Sequence, residues 1–216
     1  MAAEVEERVP IPNLALNALL IPAIKETAKC HHVDQTILDR IQGAFQKAEL
    51  QAPGVCQDFV SAILKQESIP HNMNEILLLL SEKEIDALFI DRPEPGFQTL
   101  NKKAQKLKKT LCQIPKEIHD RSKFLQAIKE IASSIKELLD SVNDVLKSYI
   151  TTGRMMEHKR NLEFHKKEFV KYSRSFSDTL KRYFKDSKED SVYYSANKLI
   201  SQTNSIIQEF QRALRQ

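Results

Sequence analysis

The strongest pattern in the sequence is a row of apolar residues that recurs every three or four positions between residues 120 and 149. A period of about 3.5 residues is typical of a helix that packs along other helices at a shallow angle. The row consists of Phe124, Ile128, Ile131, Ile135, Leu138, Val142, Val145 and Tyr149. A second row beside it consists of Leu125, Ala132, Leu139 and Leu146. Two adjacent rows are too wide for a two-stranded coiled coil and predict the central helix of a four-helix bundle.

Three further segments have the same spacing and predict the other bundle helices. The first bundle helix follows residues 91–96, where two prolines and a glycine exclude a helix interior, and it ends at Pro115. Asp120 is the expected N-cap of the central helix. The third and fourth helices are separated by the polar residues 185–191. The short connections predict an all-antiparallel arrangement.

The first 90 residues predict four or five short helices, interrupted at Pro22, at Pro53 with Gly54, and at Pro70. This half is apolar for its size and contains the four consecutive leucines 77–80. These leucines cannot all face one small core, so the sequence favours an intertwined dimer. The alternative is a compact monomer in which the leucine helix is surrounded on all sides.

We therefore predict an all-α protein with two domains. Residues 1–90 are the helical dimerisation domain, residues 91–97 the linker, and residues 98–216 the four-helix bundle. The charge changes sign at the same place. Residues 1–90 hold 7 Lys and Arg against 13 Asp and Glu, which gives −6, whereas residues 91–216 hold 26 against 16, which gives +10. An acidic and a basic half suggest domains with different partners.

The sequence shows no recognised signature of catalysis or cofactor binding, so we expect neither an enzyme nor a cofactor. The group of Cys30, His31 and His32 with Asp34 lacks a second matched pair of zinc ligands, and His158 and His165 lack a third ligand. We therefore interpret the first group as a polar loop and expect no metal site.

The cysteines and the hydropathy indicate a cytoplasmic protein. Three scattered cysteines predict reduced thiols rather than a disulfide framework. The acidic N-terminus is unlike a signal peptide, and the longest apolar run, residues 14–24, is too short to cross a bilayer.

Two strips of the predicted bundle combine cations with small or apolar residues. The strips are Lys129, Ala132 and Lys136 on the central helix, and Val170, Arg174, Ser177 and Lys181 on the third. If these helices are neighbours, the strips form a shallow apolar groove with basic banks, which would fit an acidic amphipathic helix. The alternative is ordinary bundle surface.

The first bundle helix carries a run of lysines with two readings. The run consists of Lys102, Lys103, Lys106, Lys108 and Lys109. It is either a solvated helix face or a surface for phosphoinositides or an acidic partner. We predict no nucleic-acid binding, because the aromatic residues of this half occupy seam positions rather than the basic faces.

Several segments resemble the programmed cell death protein ten family, whose members are also called the third cerebral cavernous malformation protein. The segments are 91–95 (DRPEP), 123–140 (KFLQAIKEIASSIKELLD) and 166–181 (KKEFVKYSRSFSDTLK). The resemblance is dense over residues 90–210 and thinner in the N-terminal half. It implies a scaffold with an N-terminal dimerisation domain and a focal-adhesion-targeting-like four-helix bundle.

The resemblance also implies partners and site residues. The N-terminal domain is expected to pair with itself or with group III germinal-centre (sterile-20-like) kinases, and the bundle to bind LD-type helices of paxillin, of the second cavernous malformation protein and of striatin. The implied dimer and kinase interface positions are Ile41, Ala44, Ile63 and Leu64. The implied groove positions are Lys129, Ala132, Lys136, Arg174, Ser177 and Lys181. Arg174 stands where the family typically has Lys.

The family is linked to cell migration, Golgi organisation, apoptosis control and vascular integrity, so the resemblance implies a cytoplasmic protein with Golgi and peripheral plasma-membrane pools. A different class remains open: the basic bundle could instead bind phosphoinositides at a membrane surface.

Overall fold

The computed structural model describes residues 11–82, 88–149 and 155–215, and every regular element in these ranges is a helix. This confirms the all-α prediction. The chain divides into two compact units, Met1–Met73 and Asn74–Gln216. Each unit is described below by itself.

Within the described residues, the first element of this unit is a π-helical segment, Leu16–Leu20, that continues into α1 (Ile21–Cys30). Pro22 lies in the first turn of α1. A proline in this turn removes no required helical hydrogen bond, so the helical path passes through Pro22 rather than ending there. Two further helices follow, α2 (Gln35–Gln51) and α3 (Val55–Gln66).

The core of the first unit is small. Leu16, Leu20 and Cys56 form its buried centre. Ile21, Ile24, Phe45 and Val60 pack against this centre and remain partly buried. The turn between α2 and α3 requires Gly54, whose φ of 97° lies in the left-handed region that side chains disfavour.

The second unit contains six helices within the described residues. They are α4 (Met73–Ser81, belonging to this unit from Asn74), α5 (Pro95–Cys112), α6 (Ile114–Glu117), α7 (Arg121–Tyr149), α8 (Met155–Asp186) and α9 (Glu189–Arg215). The four long helices α5, α7, α8 and α9 form the bundle. Asp120 caps α7 as predicted, since its Oδ1 accepts hydrogen bonds from the backbone N–H groups of Ser122 and Lys123 at 3.1 Å.

The bundle core lies along the apolar row of α7. Phe124, Ile131, Leu138, Val142 and Val145 are buried, whereas Ile128 and Ile135 pack against the core and remain partly exposed. Fully buried phenylalanines from α5, α8 and α9 meet this row: Phe97, Phe169 and Phe210. The 3.5-residue spacing therefore identified the core-facing side of α7 correctly.

The leucine run in α4 does not require a second chain. Leu77 and Leu78 are fully buried in the single chain, and Leu78 belongs to the bundle core. The backbone oxygen of Asn74 accepts a hydrogen bond from Asn197 at 2.8 Å, and Asn74 donates to Asp190 at 2.9 Å. The second unit thus begins at Asn74, which differs from the predicted boundary at residue 90, because α4 supplies apolar side chains to the bundle.

Candidate protein-interaction surfaces

A groove runs between α7 and α8. Because α7 packs mainly on α5 and α8 packs mainly on α9, the two helices contact each other at few points and leave a cavity of about 270 Å³ open to solvent. The lining residues are Ile128, Ile131, Ala132 and Ile135 from α7, and Ser173, Arg174, Phe176, Ser177 and Leu180 from α8. We call this cavity the docking groove.

Three of the predicted groove residues line the docking groove: Ala132, Arg174 and Ser177. Lys129 and Lys136 are exposed and share the helix face of Ala132, since three and four residues separate them from it. The structure therefore brings the centres of both predicted strips together. The small side chains of Ala132 and Ser177 leave open the space that larger residues would fill.

Two of the predicted groove residues on α8 do not line the docking groove. Val170 is half-buried and does not line the docking groove, although its backbone oxygen accepts a hydrogen bond from Ser173 at 2.8 Å. Lys181 is exposed and forms an ion pair with Asp178 at 2.9 Å. This pair is solvent-exposed on both sides, so a ligand carboxylate can compete for the ammonium group at little cost.

Sequence reasoning missed the floor of the groove. The sequence pattern places Ile128 and Ile135 in the interior seam, yet they line the docking groove together with Leu180. The signal that could have shown this floor is the breadth of the apolar surface on α7. The small side chain of Ala132, in the second row, leaves the neighbouring isoleucines uncovered. An apolar floor of this kind can accept leucine side chains from a bound helix.

The charged side chains that flank the docking groove on α7 and α8 include cations that are free to pair with a ligand. Within the described ranges, Lys129, Lys136 and Arg174 form no ion pair with another residue. The apolar floor favours apolar side chains of a ligand, and the unpaired cations favour its carboxylates, so the groove suits a ligand that is both apolar and acidic.

The lysine run on α5 is different. Lys103 and Lys106 both donate to Glu137 of α7, at 2.6 Å and 3.0 Å. Hydrogen bonds from Lys103, Lys106 and Ser133 lower the pKa of Glu137 to about 2, which keeps it charged. Lys108 is buried. The run is therefore partly committed to joining α5 and α7 and does not present one continuous cationic face.

A second surface lies on α2 and α3 of the first unit. These helices expose several large apolar side chains: Ile37, Ile41, Leu50, Val55, Phe59 and Ile63. Of the predicted interface residues, Ile41, Ala44 and Ile63 are exposed, whereas Leu64 is half-buried. Phe45 and Phe59 join the two helices with ring centroids 5.6 Å apart. So much exposed apolar surface beside so small a core is typical of a domain that pairs with another chain.

The residues considered for metal chemistry have other contacts. His158 Nδ1 lies 2.8 Å from Glu209, and His165 Nδ1 lies 3.1 Å from the amide nitrogen of Gln202. Asp34 caps α2 by accepting the backbone N–H of Thr36 at 2.7 Å. Across the described part of the chain, no group of three or more His, Cys, Asp or Glu residues is arranged to hold a metal ion.

The three cysteines carry free thiols. Burial raises the pKa of the Cys56 and Cys112 thiols to about 12, so both stay protonated and poorly nucleophilic at neutral pH. Among the described helices, none combines the length and apolarity needed to cross a membrane.

An open groove with cationic banks and an unpartnered apolar helix face are features of proteins that bind other proteins, and they define a helical adaptor-type class. Residues 9–70 match the family model described as "Programmed cell death protein 10, dimerisation domain", and residues 71–163 match "Programmed cell death protein 10, C-terminal". Over 208 residues the chain is 32% identical to the programmed cell death protein 10 homolog of Caenorhabditis elegans, with 94% of each chain covered. The chain belongs to the programmed cell death protein 10 family.

Membership of this family supports a scaffold or adaptor role, and the family is not a known enzyme family. The matching dimerisation domain supports a homodimer.

Proposed function

We propose that this protein is a non-catalytic scaffold that docks acidic, leucine-rich helices in the groove between α7 and α8. The observation that carries the proposal is the docking groove itself, with its apolar floor and its unpaired cations. The N-terminal domain supplies the second interaction: it pairs with another copy of the chain or with a group III germinal-centre kinase through the exposed face of α2 and α3.

The family resemblance supports specific partners for the groove, namely LD-type helices of paxillin, the second cavernous malformation protein and striatin. A scaffold of this kind would link kinase signalling to cell migration, Golgi organisation, apoptosis control and vascular integrity. It would work in the cytoplasm, with pools at the Golgi and at the inner face of the plasma membrane.

The chemistry of the groove determines the expected strength of binding. Leucines of the ligand would cover Ile128, Ile135 and Leu180, while its carboxylates would face Lys129, Lys136, Arg174 and Lys181. These charge pairs remain exposed to solvent, so each contributes about 0.2–1 kcal/mol. We therefore expect modest affinity that falls as salt concentration rises, because salt screens exposed pairs.

The test compares peptide affinity across variants of the groove. Reversing both charges with Lys129→Glu and Lys136→Glu should abolish binding of an acidic LD-type peptide, measured by fluorescence anisotropy. Replacing Ala132 or Ser177 by Asp should also abolish binding, because the larger charged side chain would occupy the floor. The matched control is Lys102→Glu with Lys109→Glu, which makes the same charge change at exposed positions of α5.

The helical circular dichroism and the dimer should be unchanged in every variant. Affinity that survives both groove changes, or that is indifferent to salt, would show that the strips are ordinary bundle surface. Flotation with anionic liposomes tests the phosphoinositide alternative, which predicts a larger effect of the α5 variant than of the groove variant.

A further inference from the structure

A second cavity lies at the end of the bundle where α7 begins and α8 ends, and we call it the end pocket. Its volume is about 680 Å³. Phe124, Tyr183 and Phe184 form an aromatic cluster in its wall, with ring centroids 5.4–5.9 Å apart. Phe184 is 50% exposed and Leu125, which also lines the pocket, is 41% exposed. Large apolar side chains left this open mark a surface that a partner can cover.

The end pocket continues the docking groove along the same two helices. Leu125 lies one turn before Ile128 on α7, and Phe184 lies one turn after Leu180 on α8; Ile128 and Leu180 both line the groove. Beyond the opposite end of the groove, a side-chain hydrogen bond joins the two helices: Lys166 of α8 donates to Asn143 of α7 at 3.2 Å. A ligand helix can extend toward the aromatic end without breaking this hydrogen bond.

We propose that the end pocket is a second subsite for the same ligand, occupied by an apolar side chain about two helical turns beyond the residue that covers Ala132. The proposal rests on the proposed function of the docking groove. Leu125 and Ala132 are seven residues apart, a distance of about 10 Å along a helix axis, and a ligand helix lying alongside covers that distance in the same number of residues.

The end pocket offers one cation, Arg121, to an acidic helix that continues from the docking groove. Arg121 lines the pocket and, within the described residues, forms no ion pair. The carboxylate of Glu189, also in the lining, lies 3.4 Å from His119. A ligand carboxylate next to the apolar side chain would therefore meet an available guanidinium group, as it does along the rest of the groove. The end pocket itself holds one guanidinium, Arg121, and one carboxylate, Glu189, so the acidic character of the occupant follows from the docking groove that the pocket continues. The occupant is thus a longer acidic amphipathic helix.

The experiment uses three kinds of fluorescent peptide with the full-length protein. The first is a core acidic leucine-rich helix, the second has a two-turn extension with Leu seven residues beyond the central leucine, and the third has Ala at that position. Extensions are made separately at each peptide end, because the groove alone does not set the ligand direction. We expect the Leu extension at one end to bind about tenfold more tightly than its Ala counterpart, since one apolar side chain becomes buried.

Two variants locate the effect. Phe184→Ala and Leu125→Ala should each reduce the Leu-to-Ala affinity ratio toward one while leaving the affinity of the core peptide unchanged. Phe164→Ala is the matched control, because Phe164 is an exposed phenylalanine on the same helix outside both cavities. It should keep the full ratio.

The outcomes separate the two proposals. Equal affinity of Leu and Ala extensions at both ends of the peptide would overturn the second subsite while core binding still supports the docking groove. A ratio that persists in Phe184→Ala and Leu125→Ala would also overturn it, since the leucine would then bind elsewhere. Failure of the core peptide to bind would overturn both proposals.

Discussion

Glu49 shows how one side chain holds the first unit together. Its carboxylate is almost completely buried and accepts three backbone N–H groups, from Asn13 at 3.0 Å, Gly54 at 2.9 Å and Cys56 at 3.1 Å. Burial alone would raise its pKa, but these hydrogen bonds outweigh burial and hold the pKa below the ordinary value of 4.5. Glu49 thus stays charged and joins the start of the unit to the turn between α2 and α3.

We predict that Glu49→Ala lowers the unfolding free energy of the first unit, because buried N–H donors would lose their acceptor. Each donor left unpaired costs about 1–3 kcal/mol. Urea denaturation followed by circular dichroism measures the change. Glu67→Ala, an exposed glutamate at the end of α3, serves as the control and should have little effect.

The same residue predicts a pH dependence. Because the folded pKa lies below 4.5, the stabilisation from Glu49 is complete above that pH and is lost as pH falls through the folded pKa. Glu49→Gln cannot titrate, so its stability should fall less steeply over this acid range. Parallel acid-denaturation curves for the wild type and Glu49→Gln would contradict this assignment.

At the scale of the elements, the segment that leads into α5 is part of the bundle. The Asn101 side chain accepts the backbone N–H of Ile90 and donates to its carbonyl oxygen, both at 2.9 Å, and both residues are buried. The Asn101 amide thus pairs with both backbone polar groups of Ile90, which lies outside the helices. Ile90, which these hydrogen bonds hold, directly precedes the predicted linker at residues 91–97.

We predict that Asn101→Ala destabilises the second unit by about 1–3 kcal/mol, because the buried N–H of Ile90 loses its acceptor, whereas the Ile90 carbonyl oxygen keeps its hydrogen bond from the N–H of Arg92 at 3.0 Å. Amide hydrogen exchange should show the N–H of Ile90 losing its protection, while amides in the centre of α7 change much less. Lys102→Ala, at the exposed neighbouring position of α5, should leave both measurements unchanged. Retained protection at Ile90 would show that another acceptor replaces Asn101.

Across the whole molecule, the exposed face of α2 and α3 is the surface on which we place the dimer. Ile41 is 39% exposed and Ile63 is 45% exposed, so neither contributes much to the core of a single chain. The same apolar surface cannot contact a second copy and a kinase at once. Homodimer and kinase complex should therefore compete.

We predict that replacing Ile41, Ala44, Ile63 and Leu64 together by Asp produces a monomer that does not bind the proposed group III germinal-centre kinase. Burying these charges in an interface would cost several kcal/mol in total, on the order of the cost known for unpaired buried charges. Sedimentation velocity measures the oligomeric state, and circular dichroism checks the fold. Because Leu64 is half-buried, a variant changing only the three exposed positions keeps the test valid if the fourth substitution perturbs folding.

Val33→Asp is the control for that experiment. Val33 is 39% exposed, as Ile41 is, but it precedes α2 and lies outside the exposed face of α2 and α3, so the dimer should persist. A dimer that is unchanged by the four substitutions would place the interface elsewhere.

The sequence by itself determined the features that depend on local spacing. The row from Phe124 to Val145 predicted the buried face of α7, because a helix places residues three and four apart on one side. Asp120 predicted the start of α7, because its short side chain can accept the unpaired N–H groups of the first turn. The two cationic strips were also visible, since each belongs to a single helix.

The tertiary structure decided what depends on pairs of distant residues. Leu78 joins the bundle core, and Lys103 and Lys106 pair with Glu137 more than thirty positions along the chain. The depth and floor of the docking groove follow from how closely α7 and α8 approach each other, which no single helix specifies. Periodicity shows which side of a helix is apolar, but only the packing of the other helices determines which part of that side stays open to a ligand.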